Sequence, residues 1–330
     1  MKTRHTMTLL GLMALFAALT LGISACGDSD ATGTGDGDSP DVFLMTLPPG
    51  DDWAYTLEKA AKKEAQHLGV NLEIQQEPNF EPSAQVSILN AAMAKNPDAI
   101  LVQPLSVDAL QAPLERAVDR GIKVITYDLN TGEPDGVVST FVGADYGEIG
   151  EKAAQLIIDG IGGEGKVFYQ GGATGISQFD LLRETWKETM DQQPGIVQLP
   201  PVYSNFEPAK ANSQMSATLT AHPDVAGGFA SVIYDQEGIV PALERAGKIG
   251  KVKLVGLDGA PGNIQRLRDG AVQTIISVRT VDFGTTIIQA AVEAIEGKDL
   301  PAETRIGHCV LTTENVDDPE NAACIYEKAP

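Results

Sequence analysis

The chain has 330 residues, 45 acidic against 24 basic, for a net charge of −21 with 43% hydrophobic residues. That length accommodates two packed cores. The negative field, with no Lys/Arg block and no interleaving of aromatic and basic residues, would repel a phosphate backbone and speaks against nucleic acid as a partner.

Lys2 and Arg4 precede an apolar stretch, residues 9–23, that is too short and wrongly flanked for a stable membrane span. It closes on Ile23-Ser24-Ala25-Cys26, which resembles a bacterial lipoprotein signal. Residues 1–25 then read as a signal peptide and Cys26 as a lipidated N-terminus; an ordinary secretory signal is the alternative. Loss of that leader removes two basic and no acidic residues, leaving 22 against 45, or −23. Residues 26–41 are rich in Gly, Asp, Ser and Thr and read as a flexible tether. No later segment is apolar enough to cross a bilayer.

From there strands and helices alternate. A strand over 41–47 ends at Pro48-Pro49-Gly50, and a helix over 55–67 is followed by Gly69 at the capping position. A strand over 70–75, a helix over 83–95 and a strand over 99–103 follow. A helix over 107–120 stops at Gly121, and 122–127 is a strand. The second half repeats the rhythm, with strands over 166–170, 196–203, 225–230, 251–257 and 274–278. Its helices run over 181–192, 210–220, 237–246, 263–269 and 283–296. Such alternation implies parallel strands joined by right-handed crossovers, arranged as two similar doubly wound α/β lobes.

The halves also share landmarks. Asn79-Phe80-Glu81-Pro82 recurs as Asn205-Phe206-Glu207-Pro208, Pro97-Asp98 as Pro223-Asp224, and Leu114-Glu115-Arg116-Ala117 as Leu243-Glu244-Arg245-Ala246. An apolar run ends in aspartate twice, at Asp128 and Asp258, so the offsets span 126 to 130 residues. Ligands bind such sheets at the carboxyl ends of the strands, where Asp51, Gln103, Asp128, Asp145, Asp235 and Asp258 fall. A lone Asp there is as readily a helix cap or turn residue, which is the reading for Asp145. Asp128 and Asp258, at equivalent points of the two halves, read as ligand contacts.

Catalytic motifs are missing. Residues 160–167, GIGGEGKV, lack the Ser/Thr of a phosphate-binding loop and precede a strand, so they read as a turn. No GxSxG or HExxH occurs, and His5, His67, His222 and His308 are scattered. A carboxylate-only glycosidase is the remaining enzyme class; a binder without cofactor or metal is the preferred reading. Cys309 and Cys324, an even pair in an exported chain, suggest a disulfide. Zinc with His308 is the alternative, though no CxxC spacing supports it.

Thr220-Ala221-His222-Pro223-Asp224-Val225, Val255-Gly256-Leu257-Asp258-Gly259-Ala260-Pro261 and Ile125-Thr126-Tyr127-Asp128 resemble the ribose-type (class I) periplasmic binding proteins. These are the substrate-capturing subunits of ABC sugar importers. The resemblance implies a periplasmic binding protein-like I fold, with two lobes joined by a three-strand hinge near Ala144, 277–280 and Ile306. Residues 42–144 plus 281–306 would form the N-terminal lobe, and 145–280 plus 307–330 the C-terminal lobe. It also implies a pocket in which Trp53 and Phe206 stack on a sugar ring while Asp51, Gln103, Asp128, Asp235 and Asp258 bind hydroxyls. Ribose binders of the family carry Arg after the first strand-end Asp, where this chain has Leu129. Arg279 is taken as a site residue, with Arg183 the other candidate to replace the missing cation. The other tryptophan, Trp186, reads as helix core. The ligand would be a small sugar or polyol, amino-bearing sugars and cyclitols included. The partner would be an ABC permease, served by a monomer that is exported and lipid-anchored at the outer face of the cell membrane, or periplasmic. Presentation of a ligand to a chemoreceptor or histidine kinase is the alternative. A repressor of the same fold is opposed by the leader and by the lack of a basic helix-turn-helix before Val42.

Overall fold

A computed structural model of the protein describes residues 39–79, 81–129 and 137–330. The signal peptide, Cys26, nearly all of the tether and Phe80 lie outside the described residues.

The described residues begin with β1 (Asp41–Thr46), α1 (Asp52–Leu68), β2 (Asn71–Gln76), α2 (Pro82–Ala94), β3 (Ala99–Val102), α3 (Val107–Asp119), β4 (Lys123–Tyr127) and β5 (Thr140–Ala144). They continue through α4 (Tyr146–Ile161), β6 (Gly165–Gly171), α5 (Ser177–Asp191), β7 (Ile196–Gln198), β8 (Val202–Tyr203) and α6 (Pro208–Ala221). Next come β9 (Val225–Ala230), α7 (Ile233–Arg245), β10 (Lys253–Leu257), α8 (Pro261–Arg268), β11 (Thr274–Val278), α9 (Thr280–Ile295), β12 (Glu303–Ile306) and β13 (His308–Leu311). A 3-10 turn over Pro319–Cys324 precedes the C-terminal residues.

These elements form two α/β lobes. One sheet has the order β12-β5-β4-β3-β1-β2 and is parallel throughout. The other runs β13-β11-β10-β9-β6-β7, with β8 also on β6, and only β13 is antiparallel to its neighbour. The chain leaves the first sheet after β5, returns after β11 to place α9 and β12, and crosses again at Gly307. Buried parallel strands are apolar on both faces because helices cover both. Thus Val42 and Leu44 of β1 join Leu57, Phe283 and Ile287 on the α1/α9 side. Phe43 and Met45 join Ile88, Leu89 and Leu110 on the α2/α3 side, the period-two alternation of a strand. Trp186 is buried in the second lobe's core.

The repeated landmarks occupy equivalent elements. Glu81-Pro82 and Glu207-Pro208 start α2 and α6, each with proline in the first turn, where its missing N–H is no loss. Leu114 to Ala117 lies in α3 and Leu243 to Arg245 in α7, and the two aspartates follow β4 and β10.

Several elements differ from the sequence reading. Helix α1 starts at Asp52, because the Asp51 carboxylate accepts the Ala54 N–H and caps it. The strand expected over 196–203 is broken into β7 and β8 by Pro200-Pro201, which cannot donate to a ladder. Neither β5 nor α4 was anticipated: α4 carries Gly147, Gly150 and Gly160, which weaken a helical signal. The second helix explains Gly150, since a Cβ there would lie 2.2 Å from the Leu182 oxygen of α5. The turn expected over 160–167 is confined to 162–164, between the end of α4 and the start of β6, with Gly162, Gly163 and Gly165 at positive φ. Cys309 and Cys324 are joined by a disulfide, their Cα atoms 6.1 Å apart, which removes both as zinc ligands.

Candidate functional site

The two strand-end aspartates adopt the same unusual backbone. Asp128 has φ 57° and Asp258 φ 77°, and each donates its N–H to the adjacent strand, to Val142 O and Ile276 O respectively. Aspartate tolerates this left-handed conformation better than most residues. The turn aims both carboxylates into one cavity at the carboxyl ends of the strands. Loops, strand ends and the first turn of α1 in the first lobe contribute Leu47, Asp51, Trp53, Gln103, Leu105, Asp128 and Leu129. The second side is Tyr146, Ile176, Phe179, Phe206, Val232, Ile233, Tyr234, Leu257 and Asp258. A larger groove, about 630 Å³, opens at the opposite ends of β1 and β2, near Asp41, Lys62, Asn71 and Lys95. It has the wrong strand polarity and no converging buried acids.

Asp128 is held from two directions. Its Oδ2 accepts the Gln103 Nε2–H at 2.7 Å and its Oδ1 the Tyr146 hydroxyl at 2.8 Å. Burial pushes its pKa up to about 6, with repulsion from Asp51 adding to the rise and the two hydrogen bonds opposing it. Asp258 accepts the Tyr326 hydroxyl at 2.9 Å. Protein surrounds it while part of its surface opens onto the cavity; burial, then repulsion from Asp51 and Asp128, lifts it to about 7 against the Tyr326 bond. Asp51 is likewise raised, mainly by burial, despite the opposing Ala54 N–H.

The aromatic faces come from separate elements. Trp53 stands in the first turn of α1, 6.5 Å and nearly parallel to Tyr127 and edge-on to Phe283, so its position is locked by core rings. Phe206 follows Asn205, both at positive φ (61° and 55°). That is a strained backbone for a phenylalanine and typical of functional loops. A Cβ on Gly172 would lie 2.6 Å from the Phe206 ring, so that glycine makes room for it. Phe179 and Tyr234 flank Phe206 at 6.2 and 6.3 Å.

Six of the eight ligand residues expected from the sequence therefore line one cavity: Asp51, Trp53, Gln103, Asp128, Phe206 and Asp258. Asp235 and Arg279 do not. Successive helical residues point about 100° apart, so Tyr234 faces the cavity while Asp235 turns inward and is fully buried. Arg279 immediately precedes α9, its Nε bonded to Asp282 at 2.5 Å and its Nη1 to the Glu320 carbonyl at 3.0 Å. Arg183 lies in a different depression, with Tyr169 and Trp186. Asp145 caps α4 through the Glu148 N–H and pairs with Arg305. Sequence reasoning missed Tyr146, Phe179, Tyr234 and Tyr326. An aromatic just past a strand, as at Trp53, was an available signal for Phe179; none marked Tyr326.

Residues 42–299 match the periplasmic binding protein domain family. Among curated proteins the chain is 27% identical to the D-allose-binding periplasmic protein of Escherichia coli, over 79% of this chain and 86% of that one. It is 23% identical to the fructose import binding protein of Bifidobacterium longum, over 93% and 96%. An ABC transporter solute-binding protein from Agrobacterium vitis, solved with alpha-D-tagatopyranose, superposes with a TM-score of 0.82 at 30% identity, covering 88% of this chain and all of that one. With that breadth of match, on a fold of two parallel-sheet lobes, the chain belongs to the periplasmic binding protein family.

Proposed function

We propose that the protein is the solute-binding subunit of an ABC importer and captures a small sugar or related polyol between its lobes. The observation that carries this reading is the pair Asp128 and Asp258, brought from equivalent strand ends of the two halves into one cavity flanked by Trp53, Phe179, Phe206 and Tyr234. Buried hydroxyls need partners, and ionised acceptors give the stronger bonds, while ring faces take the apolar side of a pyranose. Contacts made to both lobes favour the closed state, which is all that capture requires; no bond is made or broken. The lobes are residues 42–144 plus 281–306 and 145–280 plus 307–330, turning about the crossings after Ala144, after Val278 and at Gly307. The relatives are named as import and sugar-binding proteins, which favours delivery to a permease over presentation to a sensor. The protein acts as a monomer, held at the membrane by lipid on Cys26; a lipid label lost on Cys26→Ala tests the anchor.

The test is a thermal-shift panel of sugars and polyols on the protein lacking residues 1–26. A ligand at 100 times its Kd adds about 2.7 kcal/mol of stability, a plain shift in Tm. A flat response to every sugar and polyol rejects the reading.

A further inference from the structure

The cavity is rich in acceptors and poor in charge balance. Asp51, Asp128 and Asp258 line it, and among the described residues no Lys, Arg or His does. Residues 130–136, Asn-Thr-Gly-Glu-Pro-Asp-Gly, contain no basic side chain. Leu129 stands beside Asp128, and Arg183 and Arg279 are placed elsewhere. The nearby donors are largely committed: Gln103 Nε2 and the Tyr146 hydroxyl to Asp128, the Tyr326 hydroxyl to Asp258, the Ala54 N–H to Asp51.

A second observation is independent of the acids. Gln103 is 6% exposed and lines the cavity, and its Oε1 is buried with no donor among the described residues. A buried acceptor without a donor is costly to leave unmade. What the site lacks is therefore a donor for Gln103 Oε1 and a positive charge. A neutral polyol brings donors only. A protonated amine brings three donors and the charge together, and aromatic faces such as Trp53, Phe206 and Tyr234 also attract a cation.

We propose that the ligand is a polyol bearing a protonated amine, an amino sugar or aminocyclitol, whose ammonium group sits among Asp51, Asp128 and Asp258. This rests on the cavity being the capture site and specifies what it captures. The remaining titratable groups facing these acids are Asp52, Tyr127, Tyr146, Tyr234 and Tyr326, none of which supplies a cation. Burial, with repulsion from neighbouring carboxylates (Asp52 on Asp51, Asp51 on Asp128, Asp51 and Asp128 on Asp258), raises all three, so an arriving ammonium draws protons off them, and binding weakens as the pH falls from 7 to 5.

Isothermal calorimetry on the protein lacking residues 1–26 tests this, with D-glucosamine, D-galactosamine, their N-acetyl forms, D-glucose, D-galactose, D-tagatose, D-allose and xylitol. The expected result at pH 7 is an amino sugar bound at least tenfold more tightly than its N-acetyl and hydroxyl counterparts, with protons released and the advantage shrinking at pH 5. Leu129→Arg, which supplies a fixed cation beside Asp128, abolishes the preference. A neutral sugar bound as tightly as any amine, with no proton release, overturns the inference and leaves sugar capture standing. No heat from any compound at either pH overturns both.

Discussion

Asp258 and Asp235 stand 23 residues apart, and their surroundings give them different work. Asp258 is bonded by Tyr326 and opens onto the cavity. Replacing it with alanine removes a charged acceptor from bound ligand and leaves the Tyr326 hydroxyl unpaired. Affinity measured by calorimetry is expected to fall by about 2 kcal/mol, roughly 30-fold, with the fold intact. Asp235 is fully buried, and burial holds its pKa at about 7. The Ser204 hydroxyl and the Ser231 and Val232 N–H groups ease its charge, yet none makes a bond of proper geometry to it. Its folded pKa lies above the unfolded value of 3.8, so the native state holds the extra proton. The stability it contributes is complete below about pH 4 and is lost as the pH rises through 7, on the order of 4 kcal/mol in all. Urea unfolding at pH 5 and pH 8 is expected to show a smaller difference in Asp235→Asn than in the parent protein. An unchanged difference would mean that Asp235 is ionised in the fold.

The last segments of the chain couple stability to the site. Cys309 lies in β13, on the outer edge of the second sheet, and its disulfide to Cys324 anchors the 3-10 turn beside β11. The Cys324 carbonyl accepts the Ser277 hydroxyl at 2.6 Å, and the Tyr326 N–H is bonded to the Gly259 carbonyl at 2.9 Å. This places the Tyr326 ring over Asp258. Closing a loop of 15 residues is worth about 3 kcal/mol on the chain-entropy account. The double variant Cys309→Ser/Cys324→Ser should lose about that much in guanidinium unfolding. It should also bind ligand less tightly at a temperature where it remains folded, because Tyr326 is no longer held. Full affinity in the reduced protein would uncouple the disulfide from the site. Elsewhere the strand–helix alternation was legible from local signals, short apolar runs alternating with amphipathic helices, whereas the order of the strands was not. The elements that escaped, β5, α4, β12 and β13, are short or glycine-bearing, and β12 and β13 pair with strands remote in sequence.

Beyond Tyr326 the chain leaves the second lobe and lies on the first. The Glu327 N–H donates to Thr56 Oγ1 and the Ala329 N–H to Asp52 Oδ1, both at 2.8 Å, and Lys59 pairs with Glu327. Thr56, Asp52 and Lys59 all belong to α1, the helix that carries Trp53. The tail is thus a strap between lobes, and its net contribution, about 1 kcal/mol per hydrogen bond, favours this arrangement of the two lobes. Deletion of residues 327–330 should enlarge the radius of gyration of the ligand-free protein in small-angle scattering and lower ligand affinity by the same shift in population. Identical scattering with and without the tail would show that the strap has no hold on closure.

At this largest scale the division of information is clear. Composition, strand–helix periodicity and the repeated landmarks determined an α/β chain of two like halves, each ending a strand in an aspartate. Those signals arise from residues close along the chain, where propensity, patterning and capping act. Only the tertiary structure decided which side chains meet at the ends of those strands. It turned Asp235 into the core and put Tyr234 in its place. It withdrew Arg279 to its own helix start, and it brought Tyr326 from the far end of the chain onto Asp258. The first depends on helical phase, the second on a local pair with Asp282 and a carbonyl 41 residues on, and the third on a contact across 68 residues.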